Sequence, residues 1–161
     1  MKMFKRGQTV LIDFSLAVFI FFIAFAFLTI FWVDNIEEKT RETRFFDMDL
    51  KANIASEILV KSRGSPVNWH ELNTSQIDFI GLAFRERSID EQKLNAFKIM
   101  EYNISRELLN ISEYDFYFDF IGEDNVTAGL PPIANVDSIT VTRIVEYKGS
   151  EAIARITLYQ S

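Results

Sequence analysis

Residues 14–33 form the longest apolar run of the chain, with no Asp, Glu, Lys, Arg or His in 20 positions. A helix of that length rises about 30 Å, the thickness of a bilayer's hydrocarbon core. The h-region of an ordinary secretory signal is only about 7–15 residues long, and no A-x-A-like cleavage site follows this run. It predicts a transmembrane helix. The helical pattern continues beyond it. Residues 34–62 hold no Pro or Gly, and Leu50, Ile54, Ala55, Ile58 and Leu59 recur at helical spacing. Arg63-Gly64-Ser65-Pro66 then offers a cation, a glycine for a left-handed cap and a proline beyond it. One helix is expected from about Thr9 to Ser62, apolar all round in its first half and striped in its second.

Residues 65–87 are less regular, and "VNWHELN" and "IDFIGLAF" predict short turns or a short helix pinned to a core. Ser88-Ile89-Asp90-Glu91 reads as a capping box with Ser88 as its acceptor. Behind it, Leu94, Phe97, Met100, Ile104 and Leu108 predict a second amphipathic helix over about 89–110. The period then changes to two. In "YDFYFDFI", Phe116, Phe118 and Phe120 alternate with Asp115, Tyr117 and Asp119, as in a strand with one buried face. "EDNVTAGLPP" reads as a loop. "SITVTRIVEY" and "EAIARITLY", parted by Lys148-Gly149-Ser150, predict an antiparallel hairpin. The fold class is therefore α+β. A long N-terminal helix, transmembrane first and amphipathic second, packs on a small antiparallel sheet of three or four strands, with a second amphipathic helix.

Charge adds an orientation. Lys2, Lys5 and Arg6 precede the apolar run, whereas Asp34, Glu37 and Glu38 follow it. The positive-inside bias places the N-terminus in the cytoplasm and the chain from about residue 34 outside. The expected organisation is a basic leader (1–7), a transmembrane helix (8–33) and an extracytoplasmic head (34–161). From residue 34 onward there are 22 acidic and 14 basic residues, a balance of −8. No basic stripe breaks this background, so nucleic acid is not an expected partner.

Candidate chemistry is sparse. With no Cys and one His, the chain has no thiolate nucleophile and few of the ligands zinc favours, so no metal or cofactor is expected. His70, between Trp69 and Glu71, is read as structural. Asp115 and Asp119 lie four residues apart on one strand, about 13 Å, too far for one ion or an acid/base pair; a solvated strand face is expected. "FIGEDN" lacks the alternating spacing of a calcium loop. No convergent catalytic set emerges, and the chain is read as non-enzymatic. Sequons at Asn73, Asn103, Asn110 and Asn125 permit N-glycosylation.

Asp13 is the one carboxylate at the edge of the apolar run. Lys5-Arg6-Gly7-Gln8, then Thr9-Val10-Leu11-Ile12-Asp13-Phe14, then a long apolar helix and a C-terminal sheet together resemble the type IV pilin-like proteins. This family comprises pilins, pseudopilins and related archaeal filament subunits, and the Gly-Gln junction looks most like its archaeal branch. The resemblance implies a class III signal cut by a prepilin-type peptidase between Gly7 and Gln8, with the apolar helix retained. It further implies sibling pilin-like subunits, an assembly ATPase with its membrane platform, and the lipid bilayer as partners. Asp13 would then be sixth in the mature chain, where the family usually places a Glu fifth. A carboxylate there meets the positive end of the helix dipole and can pair with a neighbour's new α-amino group, setting register between subunits. Two other readings stand beside this one. Asp13 would simply reach the headgroups of an uncleaved single-pass protein displaying a small acidic binding or sensor domain, or the chain would be an anchored extracytoplasmic enzyme.

Overall fold

Helix propagation adds a hydrogen bond for each residue fixed, so a long Gly- and Pro-poor segment extends readily once nucleated. In the computed structural model α1 spans Phe4–Lys61 without interruption. The structure describes residues 4–160, with side chains described for 12–33 and 39–160. The helix starts at Phe4 rather than Thr9, running through Gly7, whose presence in a helix interior costs only about 1 kcal/mol against Ala. The chain divides between Arg44 and Phe45 into two units. The first is helical throughout its described residues.

The second unit is an α+β head built on a six-stranded sheet. Its strands are β1 (Ala83–Arg85), β2 (Ser88–Ile89), β3 (Asp115–Ile121), β4 (Val126–Gly129), β5 (Ser138–Tyr147) and β6 (Ser150–Tyr159). Their spatial order is β1-β2-β5-β6-β3-β4, antiparallel throughout except where β2 meets β5. The predicted alternation in β3 holds: Phe116, Phe118 and Phe120 are buried, and the residues between them are half-buried. The predicted hairpin also forms, in register from Ser138↔Tyr159 to Tyr147↔Ser150. Lys148 and Gly149 between the strands both have positive φ, 51° and 84°, the geometry whose twist matches paired strands.

Four local expectations are corrected. Ser88 does not cap the following helix, because it sits in β2, its Cα registered opposite Glu146. Asp90 is the cap; its carboxylate accepts from the backbone N–H of Gln92 (2.9 Å) and Lys93 (3.2 Å), where a charged acceptor also meets the helix dipole. The second helix is two: α2 (Glu91–Ile99) and α3 (Tyr102–Leu108). Met100 is extended, and Glu101 starts α3 by accepting from Asn103 N–H. The new direction stacks Tyr102 on Phe116 at 5.3 Å. The "EDNVTAGLPP" loop contains β4, which pairs through its backbone with β3 and carries only Val126 and Ala128 as buried side chains. With β1 and β2 as well, the sheet exceeds the three or four strands expected.

The head's half of α1 covers one sheet face, but on a different stripe from the one its large side chains suggest. Leu50 and Ile54 are 48% and 47% exposed, while Met48, Ala52, Ala55, Leu59 and Val60 are buried. Small residues win because the sheet presents rings. Ser56, Leu59 and Val60 share a narrow seam with Phe118, Ala154 and Ile156. Alanines at 52 and 55 let the helix sit close to such a surface without steric overlap. Arg143 of β5 donates to Asn53 (3.1 Å) and pairs with Glu57 (3.3 Å), tying helix to sheet at one height.

Past α1, Gly64 has φ +78°, as its capping role predicts. Its N–H bonds the Ser62 hydroxyl at 3.0 Å, and a Cβ there would lie 2.4 Å from the Trp69 ring. Trp69 is buried behind it and donates its indole N–H to Gly81 O at 2.9 Å. The segment between is two short 3-10 turns, Trp69–Glu71 and Thr74–Gln76, in line with the short turns expected; "IDFIGLAF" instead leads into β1.

Candidate functional site

A side chain that finds no place in its own chain's core must be covered by something else or stay costly in water. Ile12–Val33 is 22 residues of helix with no residue buried in the chain's own fold. Among the described residues it is the one helix long and apolar enough to cross a membrane. Its aromatic side chains group along the helix: Phe21 stacks on Phe25 at 6.2 Å and meets Phe22 edge-on at 5.9 Å. Thr29 turns its hydroxyl inward, donating to the carbonyls of Phe25 (3.1 Å) and Ala26 (2.8 Å), so it adds no unmatched donor to the apolar surface. Asp13 is exposed at the N-terminal edge of this segment. Gly7 and Gln8 lie on the helical backbone five or six residues earlier, and their side chains fall outside the described residues.

In the head, the residues singled out by sequence are scattered rather than gathered. The His70 side chain is 14% exposed, edge-on to Trp69 with ring centres 6.1 Å apart, and its Nε2 lies 3.9 Å from Glu71. Asp115 and Asp119 do not form a merely solvated face. Asp115 accepts from the Tyr102 hydroxyl at 2.8 Å and lies 3.6 Å from Arg106, while Asp119 lies 3.5 Å from Arg155 on the neighbouring strand. In "FIGEDN", Asp124 accepts from the Tyr147 hydroxyl (2.8 Å) and Lys148 Nζ (2.7 Å). Lys148 also pairs with Glu91 at 3.0 Å. Among the described residues, no three His, Asp or Glu side chains converge as a metal centre would need.

These contacts shift protonation in ways that local sequence does not show. Burial, reinforced by the hydrogen bond to Asp115, pushes the Tyr102 phenol up to about 12. Hydrogen bonds from Lys148 and Tyr147 hold Asp124 below the usual carboxylate range. Lys93 is the buried cation of the head, and burial lowers its pKa. Its ammonium donates to Arg63 O at 2.7 Å and Ala83 O at 3.4 Å, closing the exit of α1 onto β1. No spacing rule marks Lys93 or Tyr102 in advance, because their partners lie across the fold.

The four sequon asparagines are all exposed. Asn73 precedes the Thr74–Gln76 turn, Asn110 has φ +57° just past α3, and Asn125 lies between β3 and β4. Asn103 differs: its amide donates to Glu101 (3.1 Å) in the first turn of α3, and Ser105 of its sequon is buried.

No protein family, curated protein or solved structure matches this chain.

Proposed function

We propose that the chain is a non-enzymatic structural subunit of a type IV pilus-like or pseudopilus filament. It is made as a membrane-inserted precursor, with a cytoplasmic N-terminus and an extracytoplasmic head. A prepilin-type peptidase cuts between Gly7 and Gln8, and an assembly ATPase acting through a membrane platform delivers the subunit to its siblings. The observation that carries this reading is the 22-residue apolar segment, none of whose residues is buried, lying in the same helix that closes the head's core. A helix used first by lipid and then by neighbouring helices needs that all-round apolar surface. Gly7 suits the cut, because it weakens the helix where a peptidase must open it. Asp13 supplies the single carboxylate that a neighbour's new α-amino group can find.

Mass spectrometry of membrane-extracted protein tests the first step. The expected mature chain begins at Gln8, and an intact leader would leave a single-pass membrane protein in place of a processed subunit. The second step is tested by Asp13→Ala, which should leave insertion intact and abolish incorporation into filaments.

A further inference from the structure

Asparagine takes a glycan on its side-chain amide, and the transferring enzyme must hold that nitrogen together with the hydroxyl two residues on. Three consecutive residues therefore have to leave the protein surface at once. The chain has nine asparagines, and Ser or Thr fills 20 of its 161 positions, so about one sequon would arise by chance. Four occur, all in the head. The fold treats them differently.

Three of them are held. At Asn103 the side-chain amide and the backbone N–H both donate to the Glu101 carboxylate, at 3.1 and 3.2 Å, in the first turn of α3. Ser105 of that sequon is buried, and its hydroxyl donates to Glu101 O at 3.1 Å. Presenting this sequon would mean unwinding α3. At Asn110 the middle residue, Ile111, is wholly buried. The backbone N–H groups of Asn110 and Ile111 donate to Glu107 O and Arg106 O, both at 2.9 Å, and Arg106 donates to Ser112 O. At Asn125 the middle residue, Val126, is buried, and Val126 and Thr127 are registered in β4 against Phe120 and Asp119.

The sequon at Asn73 is different. Asn73, Thr74 and Ser75 are all exposed, and Asn73 makes no side-chain bond to the turn it precedes. The backbone bonds here run from Gln76 N–H to Asn73 O (2.9 Å) and from Ile77 N–H to Thr74 O (3.2 Å). Both close within the turn itself. Trp69 before it and Ile77 after it are buried and pin its two ends to the core. A segment with so little burial and such local bonding can be drawn into an enzyme while the core stays intact.

We propose that Asn73 is the N-glycan acceptor of the folded head, and that the fold withholds the sequons at 103, 110 and 125. The donor is an oligosaccharide carried on a lipid phosphate. The bond from Asn73 Nδ2 to the sugar C1 forms as the C1–O bond to the phosphate breaks. The lipid phosphate leaves with that electron pair, and the amide proton passes to a base of the transferase. The inference rests on the extracytoplasmic placement of the head proposed above, but not on filament assembly.

The test recovers the full chain from the membranes of the cells that make it and reads its glycopeptides by mass spectrometry. One glycan is expected, on the peptide holding Asn73, with the peptides of Asn103, Asn110 and Asn125 bare. Asn73→Gln and Ser75→Ala should each return the chain to its unglycosylated mass. Ser75→Thr should keep the glycan, and Asn103→Gln should change the mass by the substitution alone. Because the chain has no Cys, Ser150→Cys, exposed at the start of β6, gives an independent reading of where the head lies. A membrane-impermeant maleimide should label it on intact cells. A bare Asn73 on a chain that takes the label would overturn the proposal, as would a glycan at any of the other three asparagines. Failure to label would instead overturn the placement beneath it, and an uncut leader would leave the glycan result unaffected.

Discussion

Single residues at the exit of α1 and beside Asp115 carry constraints out of proportion to their size. Gly64 combines a left-handed backbone with a ring 2.4 Å from where a Cβ would stand. Gly64→Ala is expected to destabilise the head by about 2–3 kcal/mol, through backbone strain and displacement of Trp69, measured by urea unfolding of detergent-solubilised protein. Tyr102 makes a pH-dependent contribution. Its neutral form is favoured in the folded head, where its pKa is raised from 10.0 to about 12. The folded state therefore holds the proton that the unfolded chain releases, and the resulting stability is fully present below pH 10 and lost as pH rises toward 12. Burial also raises Tyr147 and Tyr159, so alkaline titration should show a group of late tyrosinates in the native absorbance spectrum, Tyr102 among them. Tyr102→Phe should lower the amplitude of that late absorbance change by one tyrosine and flatten the loss of stability between pH 10 and about 12.

At the scale of elements, the head's half of α1 shows how far periodicity reaches. It predicts a helix and a stripe, but the larger side chains on its surface, Leu50 and Ile54, are not the ones the core uses. What selects the stripe is the partner face, where Phe116, Phe118 and Phe120 already fill the space. Two substitutions separate these positions. Ala55→Leu should overpack the interface and cost about 1–3 kcal/mol, whereas Ile54→Ala should change stability by no more than about 0.5 kcal/mol. The same urea experiment reads both. The split between α2 and α3 has a similar origin. Leu94, Phe97, Met100, Ile104 and Leu108 keep a continuous helical spacing, yet the stacking of Tyr102 on Phe116 and its hydroxyl bond to Asp115 reward a turn at Met100. Asp90 displaced Ser88 as a cap because strand pairing claimed the serine first.

At the scale of the whole chain, the acidic balance meets a set of local compensations. Asp124 is held low by Lys148 and Tyr147, Glu113 by Lys51, and Glu57 by Lys61. Depressed carboxylates contribute stability that is present above their unfolded values, 3.8 for Asp and 4.5 for Glu, and lost as pH falls through the folded ones. Head stability should therefore decline below about pH 4, and Asp124→Asn should make that acid limb shallower. Because Asp124 and Glu113 are exposed and Glu57 is half-buried at the surface, added salt should weaken the difference. Lys93 acts in the opposite sense: its depressed pKa means that burial of the charged form opposes folding at neutral pH, a penalty relieved as pH rises toward 10.5.

The division between sequence and tertiary structure follows the range of the forces involved. The uncharged apolar run, the long helix, the alternating β3 and the β5–β6 hairpin were all legible, because each rests on periodicity or turn chemistry within a few residues. Only the tertiary structure decided which stripe of α1 is buried, where the second helix breaks, and that a weak Val126–Gly129 segment becomes an edge strand. Those outcomes depend on backbone pairing and on the volume of side chains far away in sequence, which no local pattern records.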